Sequence, residues 1–250
     1  LEISVDGVNY IEPSGKFVKG KTQKIISDMD IIPHYDYSLF DEQVFMRPYN
    51  GKVLKAIDYE LSRGCMFSCQ YCVETIIQDY YGFDEVNSRG SILNSKSYLR
   101  NKSARRIFEE LDYLVKELKI ELIRSQDTNF LTINKKVLNE LAILVKNEGL
   151  KYEMYIETRP EGINAKTIEL LKDLNVGGVG MGVELSAQSF REDKLRRFAD
   201  TNKIIDAFDM LKENGIKRTA YNIIGLPDQD EESILDTINF NKLCFRVWSN

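Results

Sequence analysis

The sequence predicts an α/β fold, a parallel sheet with its helices packed outside. Three observations point there. From residue 57 onward, strand-like apolar runs alternate with stretches whose apolar residues recur at helical spacing. The joints between them carry helix caps and helix stops, among them Ser103, Asn134, Gly149 and Gly215. And 250 residues with 43% hydrophobic and 29% charged content can bury one sizeable core. Strand–helix alternation pairs strands in parallel. Right-handed crossovers then curl the sheet one way.

Residues 1–56 stand apart from this pattern. Short alternating runs around Asp6-Gly7 signal a hairpin. The stretch from Ser27 to Phe45, with Asp28, Asp30, Pro33, Asp36, Tyr37 and Phe40, reads as an extended connector with aromatic anchors. Residues 56–62 then alternate as a first core strand and lead into a cysteine-rich loop. Ser103 caps a helix with Ile107, Phe108, Leu111, Leu114, Val115 and Leu118 on its apolar side. A strand at 120–125 follows, then a helix capped by Asn134 and stopped at Gly149. Strands at 151–158, 177–184 and 216–225 alternate with helices at 164–174, 202–214 and 231–243. A sixth strand begins at Phe245-Arg246-Val247-Trp248. The first residue is Leu1, and both ends read as cut from a longer protein.

Composition narrows the chemistry. A single histidine, His34, in a Pro/Tyr/Asp-rich loop, argues against serine–histidine catalysis and histidine-rich zinc sites; His34 reads as a surface residue. A net charge of -5 argues against nucleic acid as the partner. No run is long and apolar enough for a membrane span, and no signal peptide opens the chain. Four cysteines, three of them clustered, suit a reducing cytoplasmic setting better than a disulfide framework.

The chemistry gathers in Arg63-Gly64-Cys65-Met66-Phe67-Ser68-Cys69-Gln70-Tyr71-Cys72. Cys65, Cys69 and Cys72 fall within eight residues, close enough on a turn to share one metal centre. Structural zinc and electron-transfer clusters usually take four protein ligands, so three thiolates leave a position open. Cys244, far along the chain, reads as a core residue.

This C-x3-C-x2-C spacing, with aromatic Tyr71 before the last cysteine, resembles the signature of the radical S-adenosylmethionine (radical SAM) superfamily. The resemblance implies an open, partial (β/α)6 barrel of parallel strands. It implies a [4Fe-4S] cluster on Cys65, Cys69 and Cys72 at the barrel mouth. S-adenosylmethionine (SAM) would chelate the fourth iron and be cleaved to methionine and a 5′-deoxyadenosyl radical. Tyr71 would pack near the adenine. The motif order covers about residues 57–248, so 57–250 reads as the core, continuing past Asn250. The connector in residues 1–56 is similar to the linker that follows the cobalamin-binding domain in cobalamin-dependent members. That implies cobalamin held by a domain outside this chain, and methylation of carbon or phosphorus. Cobalamin-independent enzymes of methylthiotransferase or oxidative cyclase type remain open, as does a non-catalytic iron–sulfur redox protein. A small-molecule or peptide substrate and a flavodoxin- or ferredoxin-type reductant are the partners implied.

The remaining site residues fall after the strand ends, where parallel α/β sheets place their chemistry. Gln126 and Asp127 offer acceptors for the SAM ammonium, in place of the Gly-Gly-Glu many members carry; Asp127 suits a turn cap equally well. Arg159 suits either an anion such as the SAM carboxylate or a surface salt bridge. Glu184-Leu185-Ser186-Ala187-Gln188 resembles the family's Glu-Ser-Gly-Ser-Gln element, which marks Glu184 and Ser186 for SAM contacts. Relatives place a basic residue where Asp200 stands, leaving Arg196 or Arg197 to substitute. Gly178, Gly180 and Gly182 would admit another backbone or a ligand at close range. Asn222-Ile223-Ile224-Gly225-Leu226-Pro227 resembles an element near the adenine.

Overall fold

Residues 6–245 are described by the structure, a computed structural model. The chain opens with a small antiparallel pair, β1 (Tyr10–Ile11) and β2 (Phe17–Val18), closed by a turn from Glu12 to Lys16. Asp6-Gly7 form a turn, but the arm expected before them lies in residues 1–5, outside the described residues. The connector is three short 3-10 turns, not an extended chain. Asp28, Asp36 and Asp41 cap them, each accepting the backbone N–H two residues on.

The main sheet is built from β3 (Met46–Tyr49), β4 (Lys52–Tyr59), β7 (Leu122–Ser125), β8 (Glu153–Thr158), β9 (Val176–Glu184) and β10 (Lys217–Asn222). A second small pair, β5 (Ser62–Arg63) with β6 (Arg100–Asn101), lies between β4 and β7 in the chain. The sheet order is β10-β9-β8-β7-β4-β3. The first five of these run parallel, and β3 joins β4 as an antiparallel hairpin. The curled sheet is the open, partial barrel expected. The sheet reaches back to Met46, and β4 starts four residues before the alternation suggests. Phe245 ends a helix here, and the rest of the expected sixth strand lies outside the described residues.

Eight helices complete the described residues: α1 (Val73–Tyr80), α2 (Ser95–Tyr98), α3 (Ala104–Lys116), α4 (Lys135–Asn147), α5 (Ala165–Asp173), α6 (Gln188–Leu195), α7 (Thr201–Glu213) and α8 (Glu231–Cys244). Ser103 caps α3 by accepting from Arg106 N–H, and Asn134 caps α4 by accepting from Lys136 N–H. Gly149 stops α4 in the left-handed region, at φ 59°.

Side-chain alternation along each strand divides the sheet into two faces. Ile57, Ile123, Met154, Ile156, Val179, Met181 and Val183 face the helices and join Leu111, Leu141, Leu171, Ile204 and Phe208 in one core, with Cys244 fully buried among them. The other, concave face carries Asp58, Arg124, Tyr155, Glu157, Gly178, Gly180, Gly182 and Tyr221. It is polar and aromatic, and it is the face available to ligands.

Candidate active site

The cysteine loop is held from behind by α1. Glu74 accepts from Cys65 N–H (3.1 Å) and from the Tyr98 hydroxyl (2.6 Å). Gln78, one turn on, donates to the carbonyls of Cys65 (2.8 Å) and Phe67 (3.1 Å). Both side chains are buried, so α1 presents its polar side inward. Backbone bonds Ser68 N–H to Gly90 C=O and Gln70 N–H to Leu195 C=O fix the loop's outer edge. Gly64, at φ 92°, lies where a Cβ would come within 2.9 Å of the Tyr98 carbonyl, so only glycine fits.

Cys65, Cys69 and Cys72 line one cavity of about 230 Å³, together with Thr128, Asn129, Arg159, Glu184, Arg197 and Tyr221. The cavity sits on the carboxyl ends of β7, β8, β9 and β10. Burial pushes the Cys65 thiol up to about 12 and Cys72 upward as well. A bound metal overrides this, because a coordinating thiol is deprotonated outright. Among the described residues no three Cys, His, Asp or Glu side chains form a ready-made site for a single ion. A cluster places each thiolate on a different iron, so its ligands stand farther apart than those of one ion. Three thiols around a shared cavity, with Phe67 N–H 3.5 Å from Cys65 Sγ and a guanidinium beside Cys69, fit that donor set.

Four of the expected contacts converge here. Glu184 is buried at the end of β9 in the left-handed region, φ 66°. It accepts from the Tyr71 hydroxyl at 2.7 Å. Arg197 donates Nη2 to the Gly182 carbonyl (2.7 Å), with Nε 3.3 Å from Glu184 Oε1 but outside hydrogen-bond geometry. Arg159 is no surface salt bridge: it is buried against Phe67 and reaches Cys69. Gly178 and Gly180 admit tyrosines, and Gly182 admits Glu184 and Arg197. A Cβ on Gly180 would stand 2.5 Å from the Tyr155 hydroxyl and 2.7 Å from the Tyr221 ring.

The other expectations land elsewhere. Asp127 is buried, and its oxygens accept from Leu61 N–H, Ser62 N–H and the Ser62 and Ser125 hydroxyls. Neither reading describes its place: Asp127 pins the backbone of Leu61 and Ser62 at the entrance to the cysteine loop and does not line the cavity. Gln126 is exposed on the concave face and donates to Asp58. Ser186 gives its N–H to Thr237 and its carbonyl to Arg191, away from the cavity. Arg196 is exposed at the left-handed end of α6, φ 51°, and it is Arg197 that turns inward. Asp200 caps α7. Thr128, Asn129 and Thr158 line the cavity without having been singled out; Thr158 donates to Asn129 at 2.7 Å.

A profile of the radical SAM superfamily matches residues 59–240. This chain belongs to that superfamily. Two curated relatives match nearly all of it. An uncharacterized methyltransferase of Pyrococcus horikoshii is 28% identical over 94% of this chain and 46% of its own length. The anaerobic magnesium-protoporphyrin IX monomethyl ester cyclase of Rubrivivax gelatinosus is 25% identical over 93% of this chain and 38% of its own. The chain therefore spans less than half the length of these relatives. Among solved structures, the radical SAM methyltransferase TsrM of Kitasatospora setae superposes on 76% of this chain and 34% of its own (TM-score 0.61, 14% identity). The cobalamin-dependent radical enzyme OxsB, solved with aqua-cobalamin and SAM, superposes on 96% of this chain and 32% of its own (TM-score 0.62, 16% identity). At those identities the likeness is one of fold.

Proposed function

We propose that this radical SAM protein is a cobalamin-dependent methyltransferase acting on an unactivated carbon or on phosphorus. The observation that carries the enzyme reading is the shared cavity of Cys65, Cys69 and Cys72 with Glu184, Arg197 and Arg159. The methyltransferase relative favours methylation, and the cobalamin-dependent fold neighbour favours cobalamin.

Cys65, Cys69 and Cys72 would hold the [4Fe-4S] cluster. When bound, the cluster supplies the electron that cleaves SAM to methionine and a 5′-deoxyadenosyl radical, which takes hydrogen from the substrate. The chain's own residues bind and orient. Glu184, fixed by Tyr71, offers a carboxylate to the SAM ammonium or ribose hydroxyls. Arg197, buried beside Glu184 and lining the cavity, offers a cation to the SAM carboxylate. Tyr71 frames the adenine side. Tyr155, Tyr221 and Glu157 form a hydrogen-bonded floor on the concave face. Cobalamin would be carried by a domain outside residues 1–250, preceding the linker in 1–56, and a flavodoxin or ferredoxin of the cytoplasm would supply the electron.

Anaerobic reconstitution tests the reading. The full-length protein should take up iron, consume SAM to 5′-deoxyadenosine and methionine, and retain cobalamin through desalting. An oxidative cyclase is the second reading, favoured by the cyclase relative. It predicts SAM cleavage and a substrate oxidised without gain of a methyl group.

A further inference from the structure

Strand β8 ends in Thr158-Arg159-Pro160, and Arg159 turns under the cysteine loop. Its side chain is only 8% exposed. The guanidinium carbon lies 3.8 Å from the Phe67 ring centroid. Nε and Nη2 both donate to Glu161 Oε1, at 3.0 and 2.6 Å. Stacking and the ion pair fix the plane, and the free edge aims Nη1 at Cys69 Sγ, 3.8 Å away. A buried cation with a donor nitrogen facing a metal-ligand sulfur is placed to act on that sulfur.

We propose that Arg159 raises the reduction potential of the cluster, with Glu161 as its attenuator; this rests on the cluster reading above. Hydrogen bonds to ligand sulfurs and nearby net charge are levers that set iron–sulfur potentials. Reduction adds one electron, taken from a one-electron donor, and so one unit of negative charge; no bond forms or breaks and no proton moves. A buried guanidinium attracts that added charge more strongly than the same cation would through bulk water. Glu161 cancels part of the field because it is paired to the same guanidinium. Arg159 is thus a positioning and tuning residue rather than a group that meets the substrate.

The test is a mediated redox titration with dithionite on the reconstituted full-length protein, without SAM, read by the cluster's electron paramagnetic resonance signal. Arg159→Met should shift the reduction equilibrium about tenfold against the reduced form, ~59 mV to more negative potential. Arg159→Lys, which keeps the charge, should recover most of that shift. Glu161→Gln should move the potential the opposite way. Arg159→Met and Glu161→Gln titrating at the wild-type potential with full iron content, or both shifting in one direction, would overturn the proposal. If Arg159→Met assembles no cluster, the signs from Glu161→Gln and Arg159→Lys decide. Wild-type protein that binds no iron would sink the cluster reading and this inference together, and its iron content tells that case from a failed tuning role.

Discussion

Glu184 concentrates the site's demands on one residue. A non-glycine residue held at φ 66° costs of order 1–3 kcal/mol, and such strain gathers where function needs a fixed geometry. Ile223 N–H holds the Glu184 carbonyl at 2.9 Å, and Tyr71 holds the carboxylate. Glu184→Gln should keep the fold and weaken SAM binding about tenfold, the loss of roughly 1.4 kcal/mol from one charged hydrogen bond. Anaerobic SAM titration of the cluster-loaded protein measures it; unchanged affinity would return Glu184 to a purely structural role. Replacing Cys65, Cys69 or Cys72 with Ala should abolish iron uptake, whereas Cys244→Ala should leave iron content at wild type, since Cys244 lies in the core. Iron loss in Cys244→Ala would overturn the three-cysteine reading. The cysteines and Glu184 were legible because spacing and strand position mark them. Asp127 was not, because its partners Leu61 and Ser62 lie far away in the sequence and no local pattern marks them. Arg196 and Arg197 could not be told apart, because only the left-handed turn at Arg196 decides which of the two faces inward.

Among elements, the caps and the long helices followed the sequence, while α1 did not. Its apolar residues Val73, Ile76 and Ile77 are exposed and its buried residues Glu74 and Gln78 are polar. Periodicity cannot find a helix whose inner side hydrogen-bonds a loop instead of packing a core. Strand β9 was legible as glycine-rich, and the structure supplies the reason. Gly180→Ala should force apart Tyr155 and Tyr221 and cost about 1–3 kcal/mol in urea denaturation, as overpacking does. Helix α3 is tied to its surroundings by Glu110. Burial raises the Glu110 carboxyl, but bonds from Lys102 (2.6 Å), Tyr59 and Arg106 (2.8 Å) outweigh it and hold the net value below the ordinary 4.5. Its folded value is lowered, so its stabilisation is fully present above pH 4.5 and is lost as pH falls through the folded value. Glu110→Gln should flatten that acid limb. At neutral pH it should cost about 3–5 kcal/mol, because Lys102 is left buried without a carboxylate. Chemical denaturation from pH 3 to pH 7 (a range of roughly this width brackets the carboxylate titration) would show a parallel acid limb in the variant if the network contributes nothing.

At the scale of the molecule, the exposed apolar surface is uneven. Tyr37 and Phe45 pack on the core, while Tyr35, Leu39, Phe40 and Val44 stay exposed on the same connector, Leu39 at 80%. An exposed apolar group of this kind marks an interaction site. Under the proposed function, a cobalamin-binding domain would pack there and bring its cobalt toward SAM across the substrate. The relatives' greater length leaves room for such a domain, and the OxsB likeness extends over the connector as well as the core. Full-length protein produced with cobalamin should keep its visible absorption after desalting. Charged substitution of two surface residues, Leu39→Glu with Phe40→Glu, should release the cofactor while the iron content stays at wild type. Because neither side chain touches the cysteine cavity, cluster loss in that variant would point to misfolding rather than to a lost interface. If the unaltered protein retains no cobalamin and still consumes SAM to 5′-deoxyadenosine and methionine, the cobalamin assignment fails. The exposed connector would then need another occupant, and the cobalamin-independent reading would take its place.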